Sequence, residues 1–361
     1  MVADGLLRRG TVASAHARSV HPVVPSSGDR TVPTPDHRAG DPVTAGTLSA
    51  VPTRPPAPTG GRASALLAVD IGGTKMEAGV VDGSGRILTR ERTATPASTG
   101  PEEIFDALRR IVDAVLTASP VVPGACGVGC GGPMSAGGET VSPLNIPGWR
   151  GFPLRRRLAD LLGLDVAVDN DAKALALGEG WVGAAQGSSD YLAMVVSTGI
   201  GGGVVLDGRL LDGSSGNAGH IGHVVVEPDG RPCVCGGRGC LEAEVSGSAI
   251  AAVTGRGAEA ADRATRRRCG TLVGRAVASV ANLLDLQLAV VAGSVALGYA
   301  ADFFDPAQEE IGLRCGLEFA RPLRIRPGGL GPDGPLVGAA AVFRHRAGFP
   351  TGAGVVEDGG R

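Results

Sequence analysis

The sequence lacks any apolar run of the roughly 20 residues that a membrane-spanning helix requires. It also lacks the apolar stretch of a signal peptide, because Leu6 and Leu7 are followed at once by Arg8 and Arg9. The formal net charge of -2 over 361 residues leaves no excess of positive charge that would attract a nucleic acid or an acidic membrane. We therefore expect a cytoplasmic protein that binds neither nucleic acid nor membranes.

Aromatic residues are scarce at 3%, and Lys75 and Lys173 are the only lysines. Because 43% of the residues are apolar and 59 residues are glycine, the core must consist largely of Val, Ala and Leu. Three consecutive strand patterns are followed by alternating strands and helices, and a strand–turn–strand pattern recurs near Tyr191. These patterns predict an α/β protein with two related halves and a cleft between them.

The first 63 residues carry a different composition from the rest of the chain. They contain nine of the 25 prolines and show neither the period of a strand nor that of a helix. We expect a disordered, proline-rich extension there, with order beginning at the strand pattern ALLAVDIGG. The glycine-rich tail at residues 347–361 is expected to be disordered as well.

Two glycine-rich turns, DIGGTK at residues 70–75 and STGIGGG at residues 197–203, each join two strands. Glycine lets backbone N–H groups approach a phosphate closely, although either turn taken singly is more typical of a plain hairpin. A third segment, GVGCGG at residues 127–132, has the spacing of a dinucleotide-binding motif. Pro133 follows it where that motif requires a helix, so we reject a dinucleotide site there.

The segment DNDA places Asp169, Asn170 and Asp171 between a predicted strand and a predicted helix. Asp and Asn are suited to capping a helix, and capping alone would explain the segment. The functional interpretation is that one carboxylate acts as a general base, with Asn170 binding a hydroxyl group beside it.

A cysteine-rich loop provides the strongest local signal. Cys233, Cys235 and Cys240 fall within eight residues, and His223 lies ten residues before the first of them. Three thiolates and one imidazole form a closed tetrahedral set, which is typical of a structural Zn²⁺ site. The alternatives are a glycine-rich loop with reduced thiols and a zinc knuckle that binds nucleic acid, but no basic or aromatic surface accompanies the loop.

Taken together, these segments resemble the ROK family of sugar kinases and repressors, in the actin and hexokinase fold superfamily. The matching segments follow the family order and extend over roughly residues 64–346: LAVDIGGTK, VDNDAKALALGE, STGIGGG, GHIGHV with CVCGGRGCLE, and VVAGSVALG. The resemblance implies two actin-like (ribonuclease H-like) domains with a cleft between them, at residues 64–169 and 170–334. A C-terminal helix at about residues 335–346 would join the first domain.

The resemblance also implies an ATP-dependent kinase that acts on a hexose or an N-acylhexosamine. Asp171 matches the general base, which takes the proton from a sugar hydroxyl group as that group attacks the γ-phosphate. The positions that match sugar-binding residues are Asn145, Asn170, His220, His223 and Glu242. The positions that match ATP- and Mg²⁺-binding residues are Asp70, Gly72, Gly73, Thr74, Lys75, Thr198, Gly199, Gly201 and Gly293. The zinc ligands match His223, Cys233, Cys235 and Cys240, and a homodimer or higher homo-oligomer is expected.

One position departs from the family pattern. Where family members usually carry glutamate, this chain has His220, which offers one acceptor when neutral and no negative charge. The substrate could therefore differ near its anomeric end, or His220 could point away from the pocket. Two alternatives stay open: a sugar-binding regulator that lacks a DNA-binding domain, and a sugar-binding homologue with little kinase activity.

Overall fold

The computed structural model describes residues 65–98 and 100–349. The predictions for residues 1–63 and for residues 350–361 lie outside the described residues. The strands are β1 (Ala65–Ile71), β2 (Lys75–Asp82), β3 (Ile87–Ala94), β4 (Cys126–Cys130), β5 (Val166–Asn170), β6 (Tyr191–Val196), β7 (Ile200–Leu206), β8 (Arg209–Leu210), β9 (Leu288–Ala292) and β10 (Arg324–Pro327). The α-helices are α1 (Pro101–Ala118), α2 (Leu154–Leu162), α3 (Asp171–Val182), α4 (Leu241–Val245), α5 (Gly247–Thr254), α6 (Arg263–Leu284), α7 (Ser294–Tyr299), α8 (Ala301–Arg314) and α9 (Gly334–Arg346).

The strands form two sheets with the same connectivity. The first sheet has the order β3-β2-β1-β4-β5 and the second has the order β10-β9-β6-β7-β8. In each sheet, three consecutive antiparallel strands are extended by two parallel strands on the side of the meander's first strand. This arrangement confirms the prediction of an α/β fold with two related halves.

Each sheet has its own apolar core. Helices α1 and α2 pack on the first sheet, and α6 and α8 pack against each other beside the second. Valine, alanine and leucine dominate both cores, as the composition predicts. The domain boundaries at residues 169 and 334 remain a prediction, although the strands of the two sheets fall within residues 65–170 and 191–327.

Helices α3 and α9 lie together and contact the sheets directly. Helix α9 packs on β1 and β4, and α3 packs on β6 and β7. Glycine permits these close contacts: a Cβ atom at Gly127 would collide with the carbonyl oxygen of Ala339, and one at Gly178 would lie 3.0 Å from the Cα atom of Gly338. The glycine at position 127 therefore accommodates helix α9, which agrees with the rejection of a dinucleotide site in that segment.

No helix within the described ranges is both long enough and apolar enough to cross a bilayer.

Candidate active site

The junction between β5 and α3 carries the predicted catalytic segment. Strand β5 ends at Asn170, whose side-chain oxygen accepts a hydrogen bond from the backbone N–H of Ala172 at 3.0 Å. The Asp171 carboxylate accepts from the same N–H at 2.9 Å, and the Asp169 carboxylate accepts from the N–H of Asn170 at 2.8 Å. The capping interpretation is therefore correct for Asn170, and the cap also fixes the direction of the neighbouring Asp171 side chain.

Asp171 opens onto a cleft of about 520 Å³. Its side chain is exposed to the cleft, while the protein atoms around it desolvate the carboxyl group. This burial raises the pKa of the Asp171 carboxyl above its ordinary value, while the N–H of Ala172 and the neighbouring His220 act in the opposite direction. A raised pKa makes the carboxylate a better proton acceptor than a fully solvated aspartate.

Asp70 is the second carboxyl beside the cleft. A Cβ atom at Gly129 would lie 3.6 Å from both the Asp70 Oδ1 atom and the Asp171 Cα atom, so the two acids flank this glycine. Burial, followed by the charge of Asp171, raises the pKa of Asp70 to about 7. A buried carboxylate with this much unfavourable energy would be stabilised by a bound cation.

Both predicted glycine turns line the cleft. The β1–β2 turn contributes Gly72, Gly73 and Thr74, and the β6–β7 turn contributes Thr198 and Gly199, followed by Gly201 at the start of β7. A side chain at Gly73 would collide with Asn145, which also lines the cleft, so the first turn is packed tightly against the segment around residue 145. Two turns from different sheets therefore face one cavity.

Three of the predicted ATP-side residues do not line the cavity. Asp70 lies behind the first turn, and Lys75 begins β2 with its ammonium group 3.8 Å from Glu77. Gly293 precedes α7 with φ at +100°, and a Cβ atom there would collide with the backbone of Val196. Ser294, the next residue, has its hydroxyl group 3.0 Å from that of Ser197 in the second turn.

His220, His223 and Glu242 also line the cleft, and we call them the histidine wall; Asn170 and Asp171 form the base wall. The imidazole rings of His220 and His223 have their centroids 6.0 Å apart. Glu242 is the second residue of α4 and accepts a hydrogen bond from the N–H of Ile200 at 2.8 Å. His220 thus lines the cleft, and desolvation, with a further contribution from His223, lowers its pKa below the ordinary value.

The predicted metal ligands lie together, and one of them, His223, is also part of the histidine wall. The ligand atoms of His223, Cys233, Cys235 and Cys240 all lie within 4.8 Å of one another. The His223 Nδ1 atom is 3.7 Å from the Cys233 sulfur, and the Cys235 and Cys240 sulfurs are also 3.7 Å apart. Neighbouring ligands of a tetrahedral ion with metal–sulfur distances of about 2.3 Å are about 3.5–3.8 Å apart. Two of the ligand pairs therefore have the spacing of a tetrahedral ion, and the other pairs lie within 4.8 Å, close enough to converge on one ion.

The chemistry of the cluster also favours a cation. Burial, together with the neighbouring Cys235 and Cys233 thiols, raises the pKa of Cys240 to about 12. A bound cation would reverse this effect by stabilising the thiolates. The other four cysteines of the chain are buried, as expected for small apolar residues.

The comparisons with known proteins agree with this geometry. The family model described as "ROK family" matches residues 66–346. The chain belongs to the ROK family. The family prediction is confirmed over the same part of the chain that carries the two sheets and the cleft.

Several ROK relatives resemble this chain closely. An N-acetylmannosamine kinase from Citrobacter koseri is 40% identical over 65% of this chain and 86% of that protein. A glucokinase from Thermotoga maritima is 33% identical over 78% of this chain and 98% of that protein. The crystal structure of a ROK family glucokinase from Streptomyces griseus, in complex with glucose and AMPPNP, is 33% identical, covers 76% of this chain and 98% of that one, and has a TM-score of 0.66.

Sequence reasoning missed part of the cleft in this ROK protein. Lys173, Asn217 and Leu144 line it, but none was singled out from the sequence. Lys173 had a usable signal, because it is one of only two lysines and lies two residues after Asp171. Asn217 and Leu144 lie in loops without a periodic pattern, so only the tertiary structure brings them to the site.

Proposed function

We propose that this ROK protein transfers the γ-phosphoryl group of ATP to a hydroxyl group of a hexose or an N-acylhexosamine. The enzyme class, a phosphotransferase with a hydroxyl acceptor, is that of the sugar kinases among its relatives. The observation that carries the proposal is that the base wall, the histidine wall and both glycine turns line one cleft. A sugar held between the walls would present a hydroxyl group to Asp171 with the phosphate turns alongside.

Asp171 is the general base of the proposed reaction. Its carboxylate accepts the proton of the sugar hydroxyl as the oxygen attacks the γ-phosphorus, and the bond from that phosphorus to the bridging oxygen of ADP breaks. A positioned base contributes on the order of 10²–10⁴ in rate. Because burial raises the pKa of Asp171, we expect activity to fall on acidification at a higher pH than an ordinary aspartate would give.

The two glycine turns would hold the phosphates. Backbone N–H groups at Gly73 and Gly199 and the hydroxyl groups of Thr74 and Thr198 would supply donors without further charge. The N–H of Gly72 donates to the carbonyl oxygen of Lys75 at 3.0 Å, so Gly72 would contribute by letting the turn approach the phosphates closely. Gly201 permits close packing, since a Cβ atom there would lie 2.7 Å from that of Ala172. Lys75 and Gly293 would act from behind the turns, on the nucleotide side.

Mg²⁺ would neutralise charge on the β- and γ-phosphates, and Asp70 would help to hold it. The fit rests on the raised pKa of the buried Asp70, a carboxylate that a cation would stabilise.

A structural Zn²⁺ would fix the histidine wall. With Nδ1 of His223 turned toward Cys233, the Nε2 atom is the ring nitrogen left to bond a sugar hydroxyl. Glu242 follows Cys240 by two residues, so the same ion would also position this carboxylate. Asn145, Asn170 and His220 complete the proposed hydroxyl-binding set, with His220 neutral at physiological pH because of its lowered pKa.

The remaining parts of the proposal concern the whole molecule. Residues 64–169 with the C-terminal helix, and residues 170–334, would act as two domains that close over the substrates and exclude water. We place the protein in the cytoplasm, where cysteine thiols stay reduced and available to a metal. We expect it to form a homodimer or a higher homo-oligomer.

A sugar panel tests the proposed function. The purified protein is incubated with ATP, Mg²⁺ and each of glucose, mannose, fructose, N-acetylglucosamine and N-acetylmannosamine, and mass spectrometry detects the phosphorylated sugar while ADP release is followed. We expect one or two of the sugars to be phosphorylated with matching ADP release. Binding of a sugar by calorimetry without phosphorylation of any would contradict the kinase and favour a sugar-binding protein.

A further inference from the structure

Lys173 is a buried lysine that lines the cleft. It lies on the first turn of α3 and is only 2% exposed. Its Nζ atom contacts the Asp169 Oδ1 atom at 3.1 Å, the Asp212 Oδ1 atom at 2.6 Å and the backbone oxygen of Gly216 at 3.2 Å. An ammonium group has three protons, so these three acceptors can satisfy it completely. Such pairing is what allows a charge to be buried at this position.

One of these acceptors belongs to the base wall. The Asp169 Oδ1 atom that contacts Lys173 also accepts the N–H of Asn170 at 2.8 Å. Asn170 in turn caps α3 through the N–H of Ala172, which the Asp171 carboxylate shares. Lys173 is therefore linked, through the Asp169 carboxylate, to the backbone at Asn170, and Asn170 and Asp171 carry the side chains of the base wall.

The other two acceptors belong to a segment that leads to the histidine wall. We call residues 212–219, which follow β8, the 212–219 loop. Its residues 212–215 are exposed, and Asn217 Nδ2 donates to the backbone oxygen of Met134 at 3.3 Å, beyond the end of β4 in the first sheet. The loop thus extends from the second sheet to the first, and His220 follows it directly.

We propose that Lys173 is a positioning residue, which ties the 212–219 loop to the β5–α3 junction and so sets the separation between Asp171 and His220. The ammonium group contacts carboxylates on both sides, one attached to each wall. Asp169 and Asp212 are given no role in the proposed chemistry, so Lys173 would act only by positioning other residues. The inference rests on the proposed kinase function for its kinetic consequence, but the attachment of the loop can be measured without it.

Asp212 provides the variant that tests this role. Its side chain is 66% exposed, so Asp212→Asn removes the charge without opening a cavity in the core. Asp212→Glu keeps the charge on a flexible, exposed side chain that can still reach Lys173. Asp333→Asn is the matched control, because Asp333 forms a 2.6 Å pair with Arg90 on a 53% exposed side chain away from the cleft residues.

Two readouts are measured for each variant: hydrogen–deuterium exchange of peptides covering residues 211–220, and the KM values for sugar and ATP. In Asp212→Asn we expect exchange in the loop to accelerate about tenfold and the sugar KM to rise about five- to tenfold, the scale of a lost charge-assisted contact at a partly exposed site. The KM for ATP should stay within about twofold, because the phosphate turns do not depend on this contact. Asp212→Glu should restore most of both effects.

The results separate the inference from the proposed function. Unchanged exchange in Asp212→Asn overturns the role of Lys173, whether or not the wild type phosphorylates a sugar. Equal rises in both KM values, or effects equal to those of Asp333→Asn, also overturn it, because they indicate general destabilisation. If the wild type phosphorylates none of the five sugars while the loop exchanges faster in Asp212→Asn, the kinase proposal fails and the attachment of the loop by Lys173 stands.

Discussion

The base wall and the histidine wall of the cleft are held in place by different means. Asn170 and Asp171 lie where a buried strand meets a helix, and the backbone N–H groups of that junction fix both side chains. His220 and His223 lie at the two ends of a short 3₁₀ turn, and His223 also belongs to the metal-ligand cluster. The first wall is built at a junction of regular secondary structure, whereas both histidines of the second lie in a segment that carries the metal-ligand residues.

This difference has a consequence for stability and for function. A strand–helix junction forms with the core of its domain, so its geometry is as stable as the fold. A loop without regular secondary structure needs a cross-link to hold a fixed conformation, and four ligands around one ion would provide it. We therefore expect the base wall to survive loss of the metal and the histidine wall to lose its shape.

The largest effect is expected from the base wall. Asp171→Asn keeps an oxygen that can accept from the N–H of Ala172 but cannot take a proton from a sugar. We expect kcat to fall about 10²–10⁴-fold, with zinc content and sugar affinity unchanged. Initial rates and isothermal titration measure the two quantities, and Asp160→Asn, on the exposed face of α2, is the control. Turnover that persists at the wild-type rate would remove Asp171 from its role.

The second prediction tests whether the histidine wall depends on an ion. Cys235→Ser removes one of the four ligands, so we expect the bound zinc, measured by elemental analysis, to drop from one per chain to nearly none. Sugar affinity should then fall about 10–100-fold, the usual range when the support of a metal site is removed. Val234→Ser is the matched control, because Val234 is the neighbouring residue and is 88% exposed. Full sugar affinity without zinc would show that the histidine wall keeps its conformation without a metal ion.

The buried Asp70, which lies near the base wall, should make the free energy of unfolding of the protein depend on pH. Because folding raises the pKa of Asp70 to about 7, the wild type loses stability as the pH rises toward 7 and no more above it. Asp70→Asn has no carboxyl to ionise. Without added Mg²⁺, its stability relative to the wild type should increase by about 2 kcal/mol between pH 5.5 and pH 7.5. Urea unfolding at both pH values measures this, and a difference that does not change with pH would contradict the raised pKa.

The base wall and the glycine turns were predictable from the sequence because they depend on local patterns. A buried strand, a capping residue and the start of a helix follow one another in VDNDA, and the structure places β5, the cap Asn170 and α3 there. The cysteine cluster was predictable for a similar reason, since its spacing limits which ligands can meet. In both cases, few residues separate the groups that come together.

The parts that were not predicted depend on long-range contacts. Residues 247–273 contain no motif that predicts chemistry, yet they form α5 and the first half of α6, where Arg263, Arg267 and Arg268 pair with acids on other elements. Helix α8 and the edge strand β10 were also missed. The contact of Lys173 with Asp212 spans 39 positions, so the local sequence could not indicate it.

The smallest effect is expected from substitution of His220. This substitution distinguishes the sugar-binding groups of the histidine wall from the metal-ligand cluster. His220 lines the cleft but contributes no ligand to the metal cluster. We expect His220→Ala to weaken sugar binding about three- to tenfold, the scale of one or two hydrogen bonds, and His220→Gln, which keeps a donor and an acceptor, to fall between it and the wild type. Zinc content and the KM for ATP should not change, as elemental analysis and initial rates would show. Loss of zinc from His220→Ala would mean that His220 also supports the metal-ligand cluster. The metal ligands and the sugar-binding groups of the histidine wall would then not be separable.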